Sequence, residues 1–157
     1  MIVPVSPLLL PRAVAVIERA LENTPYLAGA RDALCAAVQA PGADGRALAS
    51  TSGEDIEGVI VFGIFGGTSG AGRLHLVVVE SRTRRIGVAR ALVAVAIESL
   101  ATLGARFVLA ELPVDPRALA GAREFLDALG FVEESRIDDF YRDDIALAFM
   151  RRELPKH

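Results

Sequence analysis

Residues 74–90 narrow the folds open to this chain more than any other stretch. They read Leu74-His75-Leu76-Val77-Val78-Val79-Glu80-Ser81-Arg82-Thr83-Arg84-Arg85-Ile86-Gly87-Val88-Ala89-Arg90. The apolar, β-branched first half predicts a buried strand, and the basic middle predicts a short turn. A glycine stands where a helix should begin, and Leu92, Val95, Ser99, Leu100 and Leu103 follow on one predicted face as far as a stop at Gly104. Arg106 to Leu112 then reads as a second strand, closed by Pro113 and Pro116. Strand, helix and strand joined by short connections predict a βαβ unit with two parallel neighbours. The unpaired amides of the helix N-terminus, the helix dipole and the flanking arginines make the turn a candidate anion site.

The rest of the chain supplies flanking elements. Met1 to Val5 predicts a short strand, and Pro11 opens a helix that buries Val14, Ile17 and Leu21. A second helix is expected from about Gly29 to Val38, stopped by Pro41-Gly42. Gly45 to Ser52 and Ile56 to Phe65 read as strands around the turn Gly53-Glu54-Asp55. The glycine-dense stretch 66–72 is followed by a strand rather than by a Lys-Ser/Thr pair and a helix, so it reads as a hairpin connection and not as a phosphate loop. Ala120 to Leu129 predicts a last helix capped at Gly130. Phe131 to Ile137 and Ile145 to Arg151 predict an antiparallel pair across a loop at 138–144.

Composition removes several classes. At 157 residues, 52% hydrophobic and 24% charged, the chain is expected to form one folded domain. A net charge of −3 gives no electrostatic basis for general nucleic-acid binding. The one cysteine, Cys35, excludes an internal disulfide, and its apolar helical setting predicts a small buried side chain. The N-terminus lacks the basic segment of an export signal, and the apolar run from Val59 to Phe65 is too short to span a bilayer. The expectation is a cytoplasmic protein without a membrane partner.

Arg84-Arg85-Ile86-Gly87-Val88-Ala89 resembles the Gln/Arg-x-x-Gly-x-Gly/Ala signature of the GNAT family of N-acetyltransferases. Ala122-Arg123-Glu124-Phe125-Leu126-Asp127-Ala128-Leu129-Gly130-Phe131 is similar to that family's late helix with its Gly-Phe step. The resemblance covers nearly the whole chain and is strongest from Leu74 to Phe131. It implies an α/β fold of the α+β type: a mixed, mostly antiparallel sheet of six to seven strands with a central parallel βαβ unit and flanking helices.

It also implies acetyl-CoA as co-substrate and no metal. The backbone amides of Ile86, Gly87, Val88, Ala89 and Arg90 would hold the pyrophosphate, Arg84 and Arg85 would add charge, and the backbone of Val77, Val78 and Val79 would pair with the pantetheine arm. The implied partner is an amine acceptor, on a small molecule or a protein, and a homodimer is left open.

Acetyl transfer to an amine needs a base, an oxyanion donor and an exit for the thiol. His75 leads the candidates for the base. It stands nine positions before Arg84, where the arylalkylamine N-acetyltransferases carry a histidine, and imidazole titrates near neutrality. Strand alternation would put it on the face of Val77 and Val79, opposite Leu74, Leu76 and Val78. Glu80 and Glu111, at or near the ends of the two strands, are its rivals.

Leu126 occupies the place where many family members carry a tyrosine that protonates the departing thiolate. Tyr141 from the late loop, or solvent, would have to replace it. Tyr26, Arg31, Phe62 and Phe65 are candidates for lining an acceptor pocket, with core or loop packing as their ordinary role. Because of Leu126, a catalytically silent acyl-CoA-binding or sensory domain is the second reading.

Overall fold

The computed structural model describes residues 1–83 and 87–156. Arg84, Arg85 and Ile86 of the expected signature lie outside the described residues. The elements run β1 (Ile2–Pro4), α1 (Leu10–Ala20), α2 (Leu27–Gln39), β2 (Arg46–Ser52), β3 (Asp55–Ile64), β4 (Ala71–Val79), a 3-10 turn (Ser81–Thr83), α3 (Val88–Thr102), β5 (Phe107–Val114), α4 (Ala122–Ala128), β6 (Val132–Arg142) and β7 (Ile145–Glu153). The strands form one sheet in the order β1-β2-β3-β4-β5-β7-β6. Among the described residues only β4 and β5 pair in parallel, across the α3 crossover; every other neighbour is antiparallel. This is the α+β architecture that the resemblance implied.

Helices cover both faces of the sheet and divide the core in two. Ala13, Val16 and Ile17 of α1, with Leu34, Ala37 and Val38 of α2, pack on Ala47, Ala49, Val59, Val61 and Val78. Leu92, Val93, Ala96 and Leu100 of α3, with Leu126 of α4, pack on Ile60, Phe62, Leu74, Val108, Ala110, Ala148 and Met150. The buried stripe of α3 is therefore Val88, Leu92, Val93, Ala96 and Leu100, while Val95, Ser99 and Leu103 of the predicted face are only half-buried. So many small apolar residues lie along this helix that the sequence periodicity does not fix its rotation. Cys35 is likewise half-buried rather than buried, because α2 turns Leu34, Ala37 and Val38 inward.

Two strands run further than their prolines and polar residues predicted. β5 continues through Pro113 to Val114 in register with β7, Pro113 opposite Leu147. A proline lacks the N–H that a central strand needs, and it is tolerated here because β5 has no partner on its other side at that point. β6 continues to Arg142, so the expected loop at 138–144 shrinks to the turn Asp143-Asp144. Its register jumps from Ile137↔Leu147 to Arg142↔Ile145, which leaves residues 138–141 opposite the single residue Ala146.

Candidate functional site

The parallel pair opens into a fork. β4 and β5 are paired from Ala71↔Phe107 to Leu74↔Ala110 and no further, although β4 runs on to Val79 and β5 to Val114. The opening begins at an irregularity in β4. Phe62 pairs with Leu74 and Val61 with Leu76, so β3 advances one residue while β4 advances two, and His75 is the extra residue of a β-bulge.

A bulge changes the parity of the strand. Leu74 therefore lies on the α3 face with Val77 and Val79, while Leu76 and Val78 face α1 and α2. The expected alternation is corrected at Leu74, since strict two-residue periodicity holds only for an unbulged strand. Val77, Val78 and Val79 keep β3 on one side, opposite Ile60, Val59 and Gly58, and border the fork on the other. That leaves a strip of backbone on each arm able to accept an added extended chain.

At the mouth of the fork α3 begins at Gly87. Its φ is +85°, a left-handed conformation that other residues adopt only at a cost, and no side chain among the described residues caps the helix. The first intrahelical bond runs from the Ala91 amide to the Gly87 carbonyl, so the amides of Val88, Ala89 and Arg90 have no acceptor within the helix. Gly87 is exposed, and a Cβ built on it would meet no atom within 4 Å. These amides, the helix dipole and the exposed Arg90 offer an anion a ready place.

A second group of residues gathers at the fork on the α1–α2 face. Because Val108, Ala110 and Leu112 point toward α3, Glu111 points the other way, and its Oε1 lies 2.7 Å from Arg73 Nη2. The Arg73 guanidinium also lies 5.1 Å from the centre of the Phe65 ring, and its Nε is buried without a hydrogen-bond partner among the described residues. Gly63 holds the neighbouring loop in place, since any Cβ there would stand 2.3 Å from the Asp44 carbonyl oxygen.

His75 feels this surrounding. Burial, then the charge of Arg73, lowers its pKa to about 4, with Asp44 opposing. The expectation of titration near neutrality is thus corrected: the bulged imidazole is neutral at physiological pH. Burial, followed by the Glu111 charge and opposed by Arg73, pushes the Tyr141 phenol up to about 12. It therefore stays protonated at neutral pH.

The remaining candidates separate. Glu80, past the end of β4, accepts from Arg19 Nε of α1 at 2.9 Å, a bond that ties it to the outer end of the strand. Arg82 reaches Asp55 at 3.6 Å, and Arg31 reaches Glu18 at 3.4 Å. Phe62 is core, and Leu126 turns into the α3-side core with 7% of its surface exposed. Tyr26 does arrive at the site: its hydroxyl donates to Asp115 Oδ2 at 2.7 Å, and its ring meets Tyr141 edge to face at 5.2 Å. Arg73 and Asp115 were not singled out as site residues from the sequence. A charge on an otherwise apolar strand was the available signal for Arg73.

Residues 15–131 match the family model described as the Acetyltransferase (GNAT) family. The chain belongs to the GNAT acetyltransferases. A Desulfovibrio desulfuricans protein assigned to that family superposes with a TM-score of 0.87 at 24% identity, covering 98% of each chain. The ribosomal-protein-alanine N-acetyltransferase of Brucella melitensis gives a TM-score of 0.76 at 21% identity over 98% of this chain and 99% of that one. An aminoglycoside 6′-N-acetyltransferase complexed with coenzyme A gives 0.81 at 16% identity over 100% and 99%. At these identities the likeness establishes the GNAT fold. A search of curated proteins finds no significant match. No helix among the described residues is long and apolar enough to cross a membrane.

Proposed function

We propose that the chain is an N-acetyltransferase that moves an acetyl group from acetyl-CoA directly to a primary amine of a small molecule or protein. The observation that carries the reading is the forked β4–β5 pair facing a helix that opens on an uncapped glycine. Val77, Val78 and Val79 would hold the pantetheine arm by backbone pairing, and a strand amide at Val77 or Val78 would receive the oxyanion. The amides of Gly87, Val88, Ala89 and Arg90 would hold the pyrophosphate, with Ile86, Arg84 and Arg85 added by the family signature. The thioester supplies the activated acetyl group; the chain's residues position it and handle the protons.

Of the three candidate bases we assign Glu111. It is the first residue of β5 beyond the last parallel pair, and its carboxylate has lone pairs beyond the bond to Arg73 with which to take the ammonium proton through water. Glu80 is engaged with Arg19 at the outer end of β4, and His75, the bulge residue on the opposite arm of the fork, is the rival that the variants below test. Tyr141, which stays protonated at neutral pH, would donate to the leaving thiolate in place of the missing tyrosine of α4.

Two experiments test this. Calorimetry should show coenzyme A binding to the wild type and none to a folded Gly87→Asp variant, whose carboxylate would occupy the phosphate position; an unchanged dissociation constant would overturn the pyrophosphate assignment. Glu111→Gln should lower kcat/KM by about 10²-fold or more, the usual range for a general base, with His75→Gln close to wild type. The reverse order would return the base to His75. The second reading, a silent acyl-CoA-binding domain, is favoured by the burial of Leu126 in the core. It requires tight coenzyme A binding with no amine turned over.

A further inference from the structure

The sheet ends differently on its two sides. β1, one outer strand, is three residues long and ends in Pro4, both ordinary protections of an edge. β6, the other, runs for 11 residues with no proline, glycine or lysine, and none of them is buried. Its neighbour β7 buries Ile145, Ala146, Leu147, Ala148 and Met150. Among the described residues five large hydrophobic side chains are exposed, and three of them stand on β6: Val132 at 70%, Ile137 at 46% and Phe140 at 53%. Apolar side chains gathered on a long free edge mark a place for another strand.

The charges of β6 select which strand that is. When a strand pairs antiparallel with its own copy, each face of the sheet continues unchanged, so the two-fold axis must pass through a residue and not between two. An axis through Arg136 would set Arg136 against itself and Glu134 against Asp138, and an axis through Asp138 would oppose two aspartates. An axis through Ser135 matches Glu134 with Arg136 but sets Ile137 against Glu133 and leaves residues 139–142 without a partner strand. An axis through Ile137, the midpoint of β6, sets Ile137 against Ile137 and Arg136 against Asp138 twice, with no like charges opposed. The register of β6 on β7 is regular up to this centre, from Ser135↔Phe149 to Ile137↔Leu147, and its irregularities fall on either side. Asp138 has no ion pair among the described residues. Arg136, whose Nη2 lies 2.7 Å from Glu133 Oε1, keeps other N–H groups with which to meet it.

We infer that β6 is the edge through which this protein self-associates: a second copy pairs antiparallel with it about a two-fold axis through Ile137, joining two seven-stranded sheets into one. The interface is isologous, so Arg136 of each copy meets Asp138 of the other, and the two Ile137 side chains meet on the opposite face. It is independent of the acetyltransferase reading, since the fork lies between β4 and β5, further into the sheet.

Sedimentation equilibrium on the full chain in the micromolar range should give twice the 16.6 kDa mass of one copy. Arg136→Asp and Asp138→Arg should each raise the dimer dissociation constant about tenfold or more, because each replaces two opposite-charge pairs by two like-charge ones. The double variant Arg136→Asp/Asp138→Arg should restore the dimer, with the far-UV circular dichroism of all three unchanged. A cross-link supplies a test that does not depend on the charged variants. Ile137→Cys in a Cys35→Ala background should form an intermolecular disulfide on mild oxidation, because a residue on the axis faces its own copy, and Val132→Cys in the same background should not. A wild type that stays monomeric up to about 100 μM would overturn the interface. So would single charge variants that dimerise like the wild type, a double variant that fails to recover, or cross-linking at Val132 as efficient as at Ile137.

Discussion

His75 illustrates how a single residue changes meaning once its surroundings are known. In the sequence it is an imidazole of ordinary basicity on a strand; in the fold it is the extra residue of a bulge, half-buried and near the Arg73 charge. Its folded pKa, about 4, lies below its unfolded value near 6.5. Between those values the unfolded chain binds more protons, so stability is complete above the unfolded pKa and is lost as the pH falls toward the folded one. Wild type should therefore lose about 1–2 kcal/mol more than His75→Gln between about pH 7 and pH 5 in urea denaturation, less if solvent reaches the ring. Equal losses would mean that the imidazole is not desolvated. By the same sign, kcat/KM should show no histidine limb between about pH 6 and 8.

At the scale of elements, the fork and α4 set the terms of any chemistry. A bulge in β4, the end of parallel pairing at Leu74↔Ala110 and a proline in the unpaired edge of β5 describe the same opening from three sides. α4 contributes packing rather than a proton, because Leu126 is 7% exposed in the α3-side core. Restoring the family's tyrosine should therefore not restore an acid. Leu126→Tyr is expected to overpack the core, lower stability by about 1–3 kcal/mol and leave kcat unimproved. A stable Leu126→Tyr variant with raised kcat would show that α4 can reach the reacting thiol after all.

For the molecule as a whole, the open fork is a stability reserve that a ligand can draw on. A ligand that binds only the folded chain stabilises it by about 2.7 kcal/mol at a hundredfold excess over its dissociation constant. Saturating coenzyme A should raise Tm by several degrees in the wild type and leave Gly87→Asp unmoved. An absent shift in the wild type would weigh against the fork as a cofactor site. The two cores on opposite faces of one sheet make the framework independent of the fork: α1 and α2 are buried against β2 and β3, and α3 against β3, β4 and β5.

Much of this could be read from residue order. The β-branched run through Val79, the glycine at position 87 and the strand after Gly104 made the parallel unit legible, because periodicity and helix-end chemistry act over a few residues. The antiparallel flanks and the placement of Gly87 at a helix start followed from the same local rules. What escaped was decided by neighbours distant in the chain. The bulge at His75 depends on β3, the extension through Pro113 on where β4 departs, and the length of β6 on β7. Arg73 and Glu111 are 38 positions apart and Tyr26 and Asp115 are 89 apart, and no pattern within one segment could have joined them. The sequence by itself determined the fold class and the helix end that faces the fork. Only tertiary structure decided which charges and rings converge there, because burial and pairing are properties of the packed sheet and not of any strand alone.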